Sequence, residues 1–149
     1  MRNVTSQTRF LRPIGTNVAA TGTVNGAIID AAGFDSVAFV ASFNSVLATS
    51  VTKLKVQGAS TNSAGAMVDL VGANAVVDGN TSGRLACVEI PAPRHRYLRP
   101  VVTRDTANSV VDCCVAMLTK APAEPVVQSS AAINSTAGVT LKHAPAAAT

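Results

Sequence analysis

A chain of 149 residues, 48% of them hydrophobic, is long enough for one ordinary domain that buries its apolar surface without disulfide or metal staples. Only 13% of the residues are charged and 3% aromatic, which excludes a coiled coil and a single-strand nucleic-acid binder built on base stacking. The net charge of +4 is a mild basic bias without the dense basic stripe of a nucleic-acid-binding domain. So little charge implies either a surface partly covered by other subunits or one made polar by Ser, Thr and Asn.

Residues 1–17 are polar and basic, carrying Arg2, Arg9 and Arg12, and read as an arm that orders against a neighbour. Met1 to Ser6 has no apolar stretch of a signal peptide, and no window approaches the length of a membrane span, so no membrane partner is expected. From there to residue 120 short β-like runs alternate with turn signals. Thr23–Asp30 is the first run, broken by Gly33-Phe34-Asp35. Ser36–Phe43 follows, with Val37, Phe39, Ala41 and Phe43 on one face. Its other face, Ala38, Val40 and Ser42, is also small and mostly apolar, which predicts a strand covered on both sides. Thr52–Gln57 alternates cleanly, Leu54 and Val56 inward and Lys53, Lys55 and Gln57 outward.

Gly58 to Gly65 reads as a loop, Ala66–Val71 as a run, and Gly72–Gly83 as loop-rich around an Asp78-Gly79-Asn80 turn. Arg84–Ile90 has Ala86, Val88 and Ile90 as its inner set and stops at Pro91-Ala92-Pro93. Tyr97–Thr103 is the next strand, and Pro100 within it demands an edge position or a bulge. Thr106-Ala107-Asn108 turns the chain into the last long strand, Val110–Leu118. The pattern predicts an all-β fold: a single β-sandwich or jelly-roll-like domain of about seven to eight strands over residues 18–120, between extended N- and C-terminal arms. The C-terminal arm, 121–149, is rich in Ala, Pro, Ser, Thr and Val. Within it Val139-Thr140-Leu141-Lys142 alternates, the pattern of a segment that adds to another subunit's sheet edge; the other reading is a disordered tail.

No catalytic or cofactor motif is found: no Gly-x-Ser-x-Gly elbow, no phosphate loop, no Cys-x-x-Cys. The acidic residues are scattered, and His95 lies among arginines with no nearby carboxylate to orient it. Cys87, Cys113 and Cys114 lack framework spacing and read as buried free thiols of a reducing compartment. No cofactor, metal or small-molecule substrate is therefore expected. The densest feature is Arg94-His95-Arg96-Tyr97-Leu98-Arg99-Pro100, continuing to Arg104. Arg and Tyr are enriched at interface hot spots, so Arg94, Arg96, Tyr97, Arg99 and Arg104 are candidate subunit-interface residues. Arg9 and Arg12 of the first arm and Val139 and Leu141 of the second join them. The competing readings are pairing with Glu89, Asp105 or Asp112 on adjacent strands, and contact with nucleic-acid phosphates.

Three stretches carry a family resemblance: Thr23-Val24-Asn25-Gly26-Ala27-Ile28-Ile29-Asp30; Ala32-Gly33-Phe34-Asp35-Ser36-Val37-Ala38-Phe39-Val40; and Pro93 to Arg104 followed by Thr106-Ala107-Asn108. Together they resemble small structural proteins of tailed bacteriophages, several of which are capsid decoration (cement) proteins. The likeness runs from Thr16 to Lys120. It implies a jelly-roll-like subunit, often a homotrimer, that binds the major capsid protein where capsomers meet. Such a subunit is assembled in the bacterial cytoplasm, ends on the virion exterior, and acts by added interface area without chemistry. The alternatives are another virion part, such as a tail tube, head–tail connector or fibre-base protein, and, from a different class, a nucleic-acid-binding or small catalytic domain.

Overall fold

The computed structural model describes residues 4–120. One turn of helix, Val4–Gln7, precedes eight strands: β1 (Thr8–Ile14), β2 (Asn17–Asn25), β3 (Ile29–Asp30), β4 (Ser36–Val46), β5 (Val51–Ala59), β6 (Val68–Val77), β7 (Thr81–Pro91) and β8 (Tyr97–Thr119). A single 3-10 turn, Ala64–Ala66, lies between β5 and β6. The expected all-β class holds.

β8, 23 residues long, is the spine. β1, β2 and β3 run antiparallel along one side of it, from Thr8 opposite Thr119 to Asp30 opposite Tyr97. β4 and β5 run along its other side, from Ser36 opposite Thr119 to Ala59 opposite Tyr97. β7 and β6 flank β4 and β5 in turn. Laid flat, β8 would span roughly 75 Å at ~3.3 Å per residue. Yet Asp30 and Ser36, at its opposite ends, are joined by residues 31–35 alone, which reach at most about 20 Å.

The sheet must therefore fold over on itself, and hydrogen bonds tie its two ends together. The Ala31 N–H donates to the Arg96 carbonyl (2.7 Å) and the Asp35 N–H to the Thr119 carbonyl (3.1 Å). The second crossing, 92–96, is held by the Ala92 N–H on the Asp35 carbonyl (2.6 Å). The result is two four-stranded layers in jelly-roll order. The first layer holds β3 and the end of β2, residues 97–105 of β8, β5 and β6. The second holds β1 and the start of β2, residues 109–119 of β8, β4 and β7.

The fold line crosses every ribbon at one level. It passes between Ala20 and Gly22 of β2, through 105–108 of β8, through 47–50 between β4 and β5, and through 78–80 between β6 and β7. Left-handed backbone marks it: Gly22 at φ 99°, Asn80 at 60° and Thr106 at 71°. The core lies between the layers. Val37, Phe39, Ala41 and Phe43 of β4 and Leu54 and Val56 of β5 are fully buried there, as their spacing predicts, against Leu98, Val102, Val111 and Leu118 of β8.

Several expectations need correction. Residues 8–17 do not form an arm: Thr8–Ile14 is a sheet strand, because Leu11 and Ile14 supply core-facing side chains against β8. Thr106–Asn108 is a bend within β8, since neighbouring ribbons fold at the same place and keep both halves paired. Residues 72–77 belong to β6; four β6 residues, 70–73, lie opposite Val56 alone, and this wide bulge gives the segment its loop-like composition. Pro100 is not at an edge but in the central strand. The backbone side on which it lacks an N–H faces the break between β2 and β3, where the Gly26 N–H donates to the Pro100 carbonyl (2.9 Å). Only glycine fits at 26: a Cβ there would stand 2.8 Å from Pro100 Cγ. The C-terminal expectations, residues 121–149 with Val139 and Leu141, lie outside the described residues.

Candidate interface surfaces

The arginine cluster divides by strand parity. Leu98, Pro100 and Val102 point inward along β8, and the same parity carries Arg104 into the fold line, where it is 6% exposed. Its Nη1 donates to the carbonyls of Val18 (3.0 Å) and Ser109 (3.2 Å), and its Nε to that of Gly22 (3.3 Å). These acceptors lie on both sides of the bend, so Arg104 clips the two layers together and is withdrawn from any surface; as an interface residue it is corrected. Beside it, the Ser50 hydroxyl lies 2.8 Å from the Thr52 hydroxyl and donates to the Ala107 carbonyl (3.1 Å). Period-two alternation extended by one residue past Thr103 would have found this role.

The opposite parity of β8, Tyr97 and Arg99, faces out, and with Arg96 in the crossing just before the strand it forms a polar ladder across the first layer. Arg96 Nε donates to both carboxylate oxygens of Asp30 (3.0 and 3.2 Å), and Nη2 adds a bond at 2.8 Å. The guanidinium stands over the Tyr97 ring, 5.1 Å from its centre. Arg99 Nε donates to Gln57 Oε1 (3.1 Å), Gln57 Nε2 to Asp69 (2.7 Å), and Lys55 Nζ to Asp69 (2.8 Å). The hydrogen bond from Arg96 holds the Asp30 carboxyl below its usual range, and Lys55, then Gln57, do the same for Asp69. The arginines thus pair within the chain, as one reading expected, but with Asp30 and Gln57. The carboxylates named from the sequence serve elsewhere or carry no such bond: Glu89 accepts from the Ser36 hydroxyl (2.6 Å) and Asp112 from that of Ser42 (3.1 Å).

Arg94 and Arg12 are exposed. Arg9 is half-buried opposite Leu118, and its Nε is buried with no hydrogen-bond partner among the described residues. The His95 ring packs on Gly58, where a Cβ would come within 3.0 Å of it. Among the described residues no three of His, Cys, Asp and Glu gather as a metal-holding group. The three thiols are free but not alike: Cys87 is exposed, Cys113 half-buried and Cys114 buried, its thiol pushed up to about 12 by desolvation. The expectation of three buried thiols is corrected at Cys87, whose side chain lies on the outer face of β7.

Two apolar surfaces lie outside the arginine cluster; the first includes the small second face of Ala38, Val40 and Ser42 that predicted a cover, and the second, on β6, was not singled out from the sequence. One is the outer face of the second layer, where Ala38 lies opposite Met117, Val40 opposite Val115 and Ser42 opposite Cys113, with Leu85 and Cys87 alongside on β7. The other is β6, the edge of the first layer. Val68, Val71 and Val76 are exposed there, Val71 fully, and Asp69 is the strand's single charge. Beside it the edges of β6 and β7 leave an open cleft of about 460 Å³ lined by Val71, Ala73, Asn74, Cys87, Val88 and Ile90.

No family model matches the chain, and no curated protein matches it. Among solved structures it is similar to Eiger TNF from S. frugiperda, with a TM-score of 0.33 and 9% identity, over 83% of this chain and 99% of that one. At that score the likeness is coarse, and nothing below rests on it.

Proposed function

We propose that this chain is a structural virion protein, a capsid decoration (cement) subunit that binds the major capsid protein lattice and stabilises the filled head. The observation that carries a partner-binding role is the β6 edge. This edge carries three exposed valines and a single charge, with no Lys or Pro; the bulge at 70–73 interrupts it, but Val71 and Val76 still present a surface that is apolar and, among the described residues, unpaired, on which a partner can dock. The capsid as partner follows from the family resemblance of residues 16–120. On this reading the subunit works by interface area, with no bond-making step. Lattice symmetry multiplies a modest contact through avidity.

Co-sedimentation with emptied heads tests it. The double variant Val71→Asp, Val76→Asp changes exposed side chains and leaves the core intact, so it folds. It is expected to bind at least about tenfold more weakly. Unchanged binding would remove the β6 edge from the account, and no binding by the parent chain would remove the capsid.

A further inference from the structure

β4 and the last part of β8 are apolar on both faces, the signature of a sheet covered on both sides. The inner face meets the core. On the outer face Ala38, Val40, Val115 and Met117 form an apolar, half-buried centre. The polar groups lie toward its ends: the Ser36–Glu89 hydrogen bond at one, the Ser42–Asp112 hydrogen bond toward the other. We propose that this face is the contact between two copies of the chain, packed face to face about a two-fold axis that runs along the strands.

The area favours a second copy. The face is four strands wide, and β4 and β7 are each eleven residues long. At ~4.8 Å between strands and ~3.3 Å per residue it presents roughly 690 Å². Two such faces offer about 1,400 Å², within the ~1,200–2,000 Å² that stable interfaces bury. An apolar centre inside a polar rim is how such interfaces are built. The rows of the face also complement themselves. Ala38 lies beside Met117, Val40 beside Val115 and Ser42 beside Cys113 on neighbouring strands. A two-fold axis between β4 and β8 sets β4 of each copy over β8 of the other, so that the small Ala38 meets the long Met117 across the ~10 Å spacing of packed sheets. The same operation carries β1 over β7. Phe10 shares a row with Met117, and Leu11 packs on the core, so the exposed Arg12 faces outward. It comes within one alternate position of the row that holds Glu89 in the other copy, which opposes a basic flank to an acidic one. The β6 edge lies outside this contact, so the pair and the capsid reading fail separately.

The test uses the full-length chain without heads. Its mass is measured by sedimentation equilibrium over a wide range of concentration. In the full-length Cys87→Ser chain, Cys113 is the one thiol able to react, because Cys114 is buried and un-ionised at neutral pH. Its rate with a disulfide reagent is followed over the same range. The expected results are twice the mass of the chain at high concentration and a Cys113 rate at least about tenfold slower in the pair than in the monomer. Adding Ala38→Lys and Met117→Lys, which changes outward side chains and leaves the core intact, is expected to keep the chain monomeric and its Cys113 rate fast. A monomer at every concentration, an odd number of copies, a double variant that still pairs, or a pair whose Cys113 reacts as fast as the monomer's would overturn the proposal. So would a slow rate in the monomer, which would mean that the cover belongs to the same chain.

Discussion

At the scale of single residues, Arg104 carries the most structural consequence. It bridges the fold line with three hydrogen bonds to backbone carbonyls, from the same inward row as Leu98, Pro100 and Val102. Arg104→Ala leaves the buried Ser109 carbonyl unsatisfied and gives up the bonds to the carbonyls of exposed Val18 and Gly22; it is expected to cost about 1–3 kcal/mol, read as a lower urea midpoint with an unchanged slope. Arg104→Lys recovers little of this, because an ammonium lacks the planar fork that reaches both sides of the bend. Asp30 and Asp69 give the surface its acid sensitivity. Both bind a proton less readily in the folded chain than in the unfolded one. Their contribution is therefore present above the ordinary carboxylate value of 3.8 and is lost as the pH falls below it. The double variant Asp30→Asn, Asp69→Asn is expected to lower the melting temperature slightly near neutrality, where the pairs contribute, and to converge on the parent at low pH, giving a shallower acid limb; the effect is small because both carboxylates are largely exposed. A steep acid limb surviving the substitutions would place the sensitivity elsewhere.

Among the elements, strands with strict alternation were the most legible. β4 and β5 stand where their period-two pattern put them, with the same residues inward, because both lie between paired neighbours. The segments misread were those in which one residue interrupts the ladder without ending it. The wide bulge at 70–73 disguised β6 as a loop, and the bend at Thr106 disguised β8 as two strands. β1 was hidden by its arginines, since an edge strand needs few core-facing positions. The arginine cluster was legible as a cluster but not as a network, since its partners Asp30 and Gln57 are brought beside it only by the register of β3 and β5 on β8. The Gly26–Pro100 contact joins two elements at a point where neither tolerates change. Gly26→Ala is expected to destabilise the protein by about 1–3 kcal/mol, because the added carbon meets both the proline ring and its carbonyl. A melting temperature equal to the parent's would show that the two strands separate there without cost.

Across the whole molecule, folding one broad antiparallel sheet along a single line buries one continuous core and leaves three different exteriors. The outer surface of the first layer is closed by its own ion pairs. That of the second sets Ala38, Val40, Val115 and Met117 between the Ser36–Glu89 and Ser42–Asp112 hydrogen bonds. The β6 edge is apolar and unpaired among the described residues. Phe39 and Phe43 hold the layers together, and Phe39→Ala is expected to cost about 3–5 kcal/mol by urea unfolding. The central claim is that a domain of this shape serves by binding to a larger protein shell. Imaging particles purified from the protein's source by electron cryo-microscopy, at a resolution that separates strands, tests it most directly. The account predicts jelly-roll density in trimers spread over the head, with β6 against the shell. Density confined to a ring at one vertex or along a tail, or particles lacking this chain, would contradict it.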